Sequence, residues 1–381
     1  MTIDIARLRA RFPTLASKAY LNSGSYGLLS TDVEAAFRRY LDDRLELGAD
    51  WGAWVGRSEG VRDGMAALLH ASPDEIAVTA SASAGINSLA SALDFTGERN
   101  RVVVSNFEFP TSGQIWHAQE RRGAEVAHVA EGPDGTIPLE HFERAIDERT
   151  RLVAIAHVCY RNGAKVDVEG VVRLARAKGA MVLLDIFQSV GTADIDVGAL
   201  DVDFAVGGML KYLLGTAGIG FLYVKREHIA ALTPTVGGWF AQADVDAMDI
   251  FANDPSPTAR RFQAGTPPVP NSYAAEAGIG LIRELGADAI EARIRALTGA
   301  CMDRLLEEGC KLATPRDDAS RGPQVAVRST DAPALVARLA EGDVITSDRD
   351  GNVRAMFHAY NDESDVERLI EGLKANRGLL A

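Results

Sequence analysis

The sequence predicts an α/β protein: a large domain with a mainly parallel sheet flanked by helices, followed by a small α+β C-terminal domain. Two observations carry the prediction. Short runs rich in valine and isoleucine alternate with segments of helical period, as expected where buried parallel strands are covered on both faces. A chain of 381 residues, 47% hydrophobic and 24% charged, is also long enough to bury a large core and divide it between two bodies.

Met1 to Arg11 mixes charges into a short amphipathic pattern. Val78-Thr79 ends a strand and leads through small hydroxyl residues into a helix. Further strands are read at Arg101 to Ser105, Glu125 to Val129, Leu152 to His157, Met181 to Asp185, Phe204 to Val206 and Gly220 to Val224. Helices fall at Thr111 to Arg122 and Val168 to Lys178, the second closed by Gly179 in the place of a C′ glycine. Thr233 to Pro270 is rich in Pro, Gly and aromatics, lacks a period and reads as a crossing segment. Ser272 to Leu306 reads as one long helix or two, and Gln324 to Arg328, Asp343 to Arg354 and Glu363 to Ala375 as the small α+β unit. The expected division is an N-terminal segment, 1–20, joining the small domain; a large domain, 21–258; and a connecting helix with the small domain, 259–381.

A formal charge of -13 argues against nucleic acid or an anionic membrane surface as partner, since both would repel the average surface. The three cysteines, Cys159, Cys301 and Cys310, show no paired C-x-x-C spacing, so no metal site is expected and a reducing compartment is the simplest reading. Cys301 and Cys310 fall in a helical pattern and read as buried hydrophobes. The N-terminus lacks the apolar region of a signal peptide, and no run approaches the roughly 18 apolar residues of a membrane span. The expected location is the cytoplasm.

Ligands of open α/β sheets bind beyond the carboxyl ends of the strands, and the chemistry-bearing residues gather there. Asp185 closes one strand and Lys211 follows the next, in Val-Gly-Gly-Met-Leu-Lys. Two buried charges on neighbouring strands form either an ion pair or a reactive set, in which the lysine makes an imine with an aldehyde cofactor and the carboxylate keeps a pyridine nitrogen protonated. Ser81-Ala82-Ser83 is either a plain helix cap or a phosphate site, because helix-start amides and the helix dipole favour an anion. Phe109 is either a core residue or a platform for a flat ring. His157 and His358 read as packed histidines. Gly215-Thr-Ala-Gly-Ile-Gly220 would suit a dinucleotide oxidoreductase only between the first strand and its helix. It lies instead after Lys211, so it reads as a turn.

Together these motifs resemble the class V aminotransferase family of pyridoxal-phosphate enzymes, of fold type I, which includes cysteine desulfurases, kynureninases and isopenicillin N epimerase-like proteins. The resemblance runs from Tyr20-Leu-Asn-Ser-Gly-Ser-Tyr-Gly27 through Thr79 to Asn87, Leu184 to Gly191, Gly207 to Gly220 and Arg261 to Pro268, ending with Arg354 to Asn361. It implies pyridoxal 5′-phosphate as cofactor, carried as a Schiff base on Lys211, with Asp185 as partner of the ring nitrogen. It further implies Gln188 beside the phenolic oxygen, Phe109 on the ring, Ser81, Ala82 and Ser83 at the phosphate, and Thr266 reaching the phosphate from the second subunit of a homodimer with shared sites. Asn22, Ser23, Tyr160 and Arg354 are implied substrate-binding residues, Arg354 gripping the α-carboxylate. The alternative for Arg354 is a salt bridge to an acid such as Asp350.

The sequence also departs from the family pattern. Phe187 stands where a small side chain usually faces the cofactor, Leu210 replaces a frequent His and Tyr160 a frequent Asn. Phe109-Pro-Thr, Cys159 to Gly163 and Gly238-Trp-Phe look like the kynureninase form, but Ser112 stands where kynureninases commonly have Asp. Gly342 to Val353 holds no cysteine of the kind that carries a persulfide in desulfurases. The expected activity is that of a lyase or aminotransferase acting on an α-amino acid through an external aldimine, with epimerisation as the alternative.

Overall fold

The computed structural model describes residues 3–381. The N-terminal part supplies α1 (Ile5–Ala10), β1 (Ala19–Tyr20), α2 (Thr31–Leu47) and α3 (Trp51–Leu68). The central part follows as β2 (Ile76–Thr79), α4 (Ala82–Ala92), β3 (Arg101–Ser105), α5 (Pro110–Ala118), β4 (Glu125–Val129), α6 (Leu139–Ala145), β5 (Thr150–Ala156), α7 (Val168–Ala177), β6 (Met181–Asp185), β7 (Phe204–Gly208), β8 (Gly220–Val224) and α8 (Arg226–Ile229). The C-terminal part holds α9 (Val269–Leu285), α10 (Ala287–Glu307), β9 (Gln324–Arg328), α11 (Ala332–Glu341), β10 (Val344–Ile345), β11 (Ser347–Arg349), β12 (Asn352–Met356) and α12 (Glu363–Ala375).

Seven strands form the main sheet in the order β2-β8-β7-β6-β5-β3-β4. All neighbours from β7 to β4 pair in parallel, and β8 runs antiparallel to both β7 and β2. Gly220, the first residue of β8, is therefore registered beside Gly208 and Thr79, the last residues of β7 and β2. That edge collects the carboxyl ends of six strands and the loop entering the seventh. Strands β2, β7 and β8 are buried at every position, which explains their continuous apolar runs. One layer of side chains packs them against Ile86, Leu89 and Trp116 of α4 and α5, and the other against Val61, Val171 and Ile279 of α3, α7 and α9.

A separate core joins α10, α11 and α12 to the antiparallel sheet β11-β12-β9. The beginning of the chain completes it: β1 pairs in parallel with β10, Ala19 opposite Val344, and Arg9 bonds Asp365 at 2.8 Å.

Several local expectations change. The helix expected to run to Arg122 ends at Ala118 and tightens into a 3-10 turn, Gln119–Arg122, before Gly123 at φ 98°. The segment Ser272 to Leu306 is two helices, broken at Gly286 with φ 81°. Cys310 lies beyond the end of α10, after Gly309, although it is buried as expected. Gly215 to Gly220 forms a turn into β8 rather than a strand-to-helix loop, which removes the dinucleotide reading. No helix among the described residues is long and apolar enough to cross a membrane.

Candidate active site

A cavity of about 290 Å³ opens at the carboxyl edge of the sheet, with Ser83, Phe109, Tyr160, Asp185, Gln188 and Lys211 among its walls. Strand β6 delivers Asp185, whose Oδ1 accepts the N–H of Phe187 at 2.8 Å as the chain turns. Beyond β7 the chain turns at Leu210, whose carbonyl accepts the N–H of Gly27 at 2.7 Å. A Cβ on Gly27 would collide with the Lys211 carbonyl, so glycine is what allows the N-terminal loop to brace the lysine.

Lys211 points Nζ toward two aromatic faces, 4.3 Å from the centroid of Phe187 and 5.8 Å from that of Phe109. Burial pulls its ammonium down to about 8; the Asp185 charge opposes that fall, while Arg354 and Arg349 add to it. Asp185 is raised by burial, against the Phe187 N–H and the charge of Lys211. The two make no direct ion pair among the described residues, so the simple salt-bridge reading fails. They face one another across space that a ligand can fill.

Ser81 caps α4 by accepting the N–H of Ala84 at 3.1 Å. The amides of Ala82 and Ser83 are left as first-turn donors, which a phosphate would satisfy. Gly220 permits this crowding, because a Cβ there would lie 2.8 Å from the Ala82 nitrogen. Gln188 is buried and donates to the Gly24 carbonyl at 3.1 Å. Phe109, unlike a core residue, is 46% exposed and meets Tyr160 edge-on at 5.2 Å. Phe187 lies over the end of β7, where a side chain on Gly208 would strike its ring.

Arg354 is only 3% exposed and has no acidic partner. Nη1 donates to the Tyr160 carbonyl at 2.6 Å, and Nη2 to Ser347 Oγ at 2.8 Å and Ser25 Oγ at 3.3 Å. Burial pulls it down to about 10, and Nε has no partner. The salt bridge with Asp350 is absent: that acid pairs with Arg161 at 3.2 Å.

Not every expected residue reaches the cavity. Ser23 is fully buried, its hydroxyl bound to Tyr360 Oη at 2.5 Å, and Ser25 stands on the wall instead. Asn22 keeps a buried Oδ1 without a partner in the turn that precedes Ser25. Thr266 sits in an exposed loop away from the cavity of its own chain. His157, bound to Ser189, and His358, bound to the Tyr212 carbonyl, are each pushed down to about 4 by burial and are packed neutral groups. Ser25 and Glu108 escape the sequence reading, being ordinary polar residues in loops; Ser112, marked there only as a departure from the kynureninase form, lies in the first turn of α5 on the cavity wall. Asp203, Glu227 and His228 converge elsewhere, but Asp203 is occupied by Arg176 at 2.8 Å and the Val182 N–H at 2.6 Å.

Pyridoxal 5′-phosphate fits these residues. A buried amine faces a carboxylate, Phe109 lines the cavity, and the first-turn amides of α4 can donate to an anion. Of the buried polar atoms that lack partners, Ser112 Oγ belongs to the cavity wall, while Arg354 Nε lies behind the wall residues Tyr160 and Ser25, to which Arg354 is bonded.

The fold and site thus define a pyridoxal-phosphate enzyme of fold type I. Residues 55–369 match the family model described as aminotransferase class-V. The chain is 32% identical over 367 residues to an uncharacterized aminotransferase, YcbU, of Bacillus subtilis, covering 96% of each. It is 29% identical over 396 residues to a kynureninase of Deinococcus radiodurans, covering 97% of this chain and 93% of that one. In three dimensions it resembles a cysteine desulfurase from Thermococcus onnurineus with a TM-score of 0.88 at 24% identity, over 100% and 99% of the two chains. The chain belongs to the class-V aminotransferase family.

Proposed function

We propose that this enzyme is a lyase or aminotransferase acting on an α-amino acid, with Lys211 as both the cofactor-bearing amine and the base at Cα. The observation that carries the reading is Lys211 itself: an amine lowered to about 8 by burial, facing Asp185 across a cavity of about 290 Å³. An amine near neutrality can be free to join a carbonyl and, once displaced, to take or return a proton. The cofactor, when bound, supplies an electron sink for the bond broken at Cα.

The protein's own groups do the rest. Asp185 would hold a proton on the ring nitrogen, Phe109 and Phe187 would border the ring, and Gln188 would adjoin its oxygen. Ser81 orders the helix start, whose Ala82 and Ser83 amides would hold the phosphate. Arg354 receives the substrate carboxylate beside Asn22, Ser25 and Tyr160, its unpartnered Nε being available to a second oxygen. Thr266 is given to the phosphate of a second copy. The exposed apolar side chains Leu41, Leu45, Trp51, Ile250 and Phe251 support a homodimer, since a lone chain would leave them in water. We retain the division into 1–20, 21–258 and 259–381, and the cytoplasm as location.

Borohydride reduction of the purified protein and peptide mapping should place a pyridoxyl mass on Lys211. Label on a different lysine ends the assignment. A screen of amino acids scored by product then separates elimination from amino transfer.

A further inference from the structure

Glu108 is a second carboxyl group at this edge of the sheet, and the proposed chemistry does not use it. It follows β3 in the turn Phe107-Glu108-Phe109, between a fully buried ring and the aromatic wall of the cavity. The residue is 9% exposed, no ion pair reaches it, and its Oε1 has no hydrogen-bond partner among the described residues. An ionised carboxylate cannot be left that way without a large desolvation penalty.

The groups around it reinforce the point. Asp185 at the end of β6 is the charge it feels most, and it is of like sign. Arg161, beyond β5, is committed to Glu131 at 2.9 Å, Asp350 at 3.2 Å and the Asn106 carbonyl at 3.0 Å. His128 on β4 bonds the Asn106 side chain at 3.1 Å. The Ser112 hydroxyl favours ionisation, but it closes no hydrogen bond of its own. Lys211 acts on Asp185, which also accepts the Phe187 N–H; Glu108 has neither advantage. Two neighbouring buried carboxyls do not both ionise, and the one with the cation and the donor gives up its proton first.

We propose that Glu108 is a positioning residue that stands as an uncharged carboxylic acid at neutral pH, leaving Asp185 as the carboxylate that sets the charge on Lys211. The inference rests on the proposed function only for its consequence. Burial and the Asp185 charge both drive Glu108 well above the ordinary glutamate range, so its proton persists where other carboxyls are ionised. A second negative charge here would strengthen the hold on the Lys211 ammonium and delay release of the free amine. Glu108 therefore keeps the lysine ready near neutrality and withdraws that readiness only when it ionises at alkaline pH.

Infrared spectroscopy on full-length protein labelled with carbon-13 glutamate tests the charge directly. The wild type should show a protonated-carboxyl band at pH 7 that shifts with the label, titrates only at alkaline pH and is missing from Glu108→Gln. The consequence is read from the rate at which cofactor-free protein captures added pyridoxal 5′-phosphate. Wild type and E108Q should capture it alike at pH 7 and diverge at alkaline pH. An ionised Glu108 predicts otherwise: its removal would take a neighbouring negative charge from the site, lower Lys211 further and speed capture severalfold at pH 7. That result, or the lack of a labelled protonated band in the wild type, overturns the proposal. Where E108Q does not fold, Glu108→Asp, which carries no glutamate label at that position, assigns the band by the same loss. Failure of borohydride to label Lys211 would remove the proposed function and leave the infrared result standing.

Discussion

Replacing Arg354 with lysine probes substrate recognition with little change in charge. The guanidinium now spans the Tyr160 carbonyl at 2.6 Å, Ser347 at 2.8 Å and Ser25 at 3.3 Å, and its Nε is free to add a carboxylate bond. An ammonium on a shorter, non-planar end can serve one or two of these partners but cannot reproduce a two-point grip. The loss expected for one charged hydrogen bond is about 1.5–3 kcal/mol, a roughly ten- to hundredfold rise in the dissociation constant. The assay is a titration of loaded wild type and Arg354→Lys with an amino acid and with its decarboxylated amine, followed by the absorbance of the bound cofactor. The amino acid should weaken by that factor, and the amine, already a poor ligand, should hardly change. Equal losses for both ligands would show that the substitution distorts the pocket. No loss for either would show that Arg354 does not meet the carboxylate.

A buried lysine lowered to about 8 costs the folded protein stability wherever it must remain charged, and the sign follows from linkage. The unfolded lysine binds its proton up to about pH 10.4, so stability rises with pH between the two values and the cost is complete below the lower one. Lys211→Met should therefore raise the melting temperature of the cofactor-free protein at pH 7, with the gain fading toward about pH 10; an equal gain at both pH values would contradict the burial argument. The three cysteines are free and buried, and burial raises each thiol. A thiol reagent should leave the native protein unmodified, and turnover should form no persulfide on Cys159, Cys301 or Cys310, as mass spectrometry would reveal. Light scattering should give twice the mass of one chain, whereas a stable and active monomer would separate Thr266 from the phosphate.

The strands that carry Asp185 and Lys211 were legible because buried parallel strands write themselves as short unbroken runs of valine, leucine and alanine. The residue just past each run is then marked for the ligand edge. The turns were harder. Ser23 and Ser25 lie two residues apart in one small, polar loop, and only the packing of Tyr360 decides which hydroxyl faces inward. Glu108 reads as an ordinary surface acid until the fold places two phenylalanines and Asp185 about it. Helices α2 and α3 escaped the sequence reading because α2 buries only Val33 and exposes Leu41, Leu45 and Leu47, so its apolar residues do not outline a core face. The exclusion of Asp350 from Arg354 likewise depended on the competing Arg161, which is remote in sequence.

The pairing of Ala19 with Val344 gives two segments far apart in the sequence a shared task. Strand β1 leaves the ribosome long before its partner exists, so this pairing cannot form until Val344 has been added. Asn22 and Ser25 follow that strand directly, and Arg354 arrives with the last sheet. A nascent chain can thus assemble the ends of β6 and β7 early while its carboxylate-recognition side is still unformed. Loss of either segment would break the same seam, and on the proposed reading the enzyme acquires its grip on substrate only once Arg354 has been added.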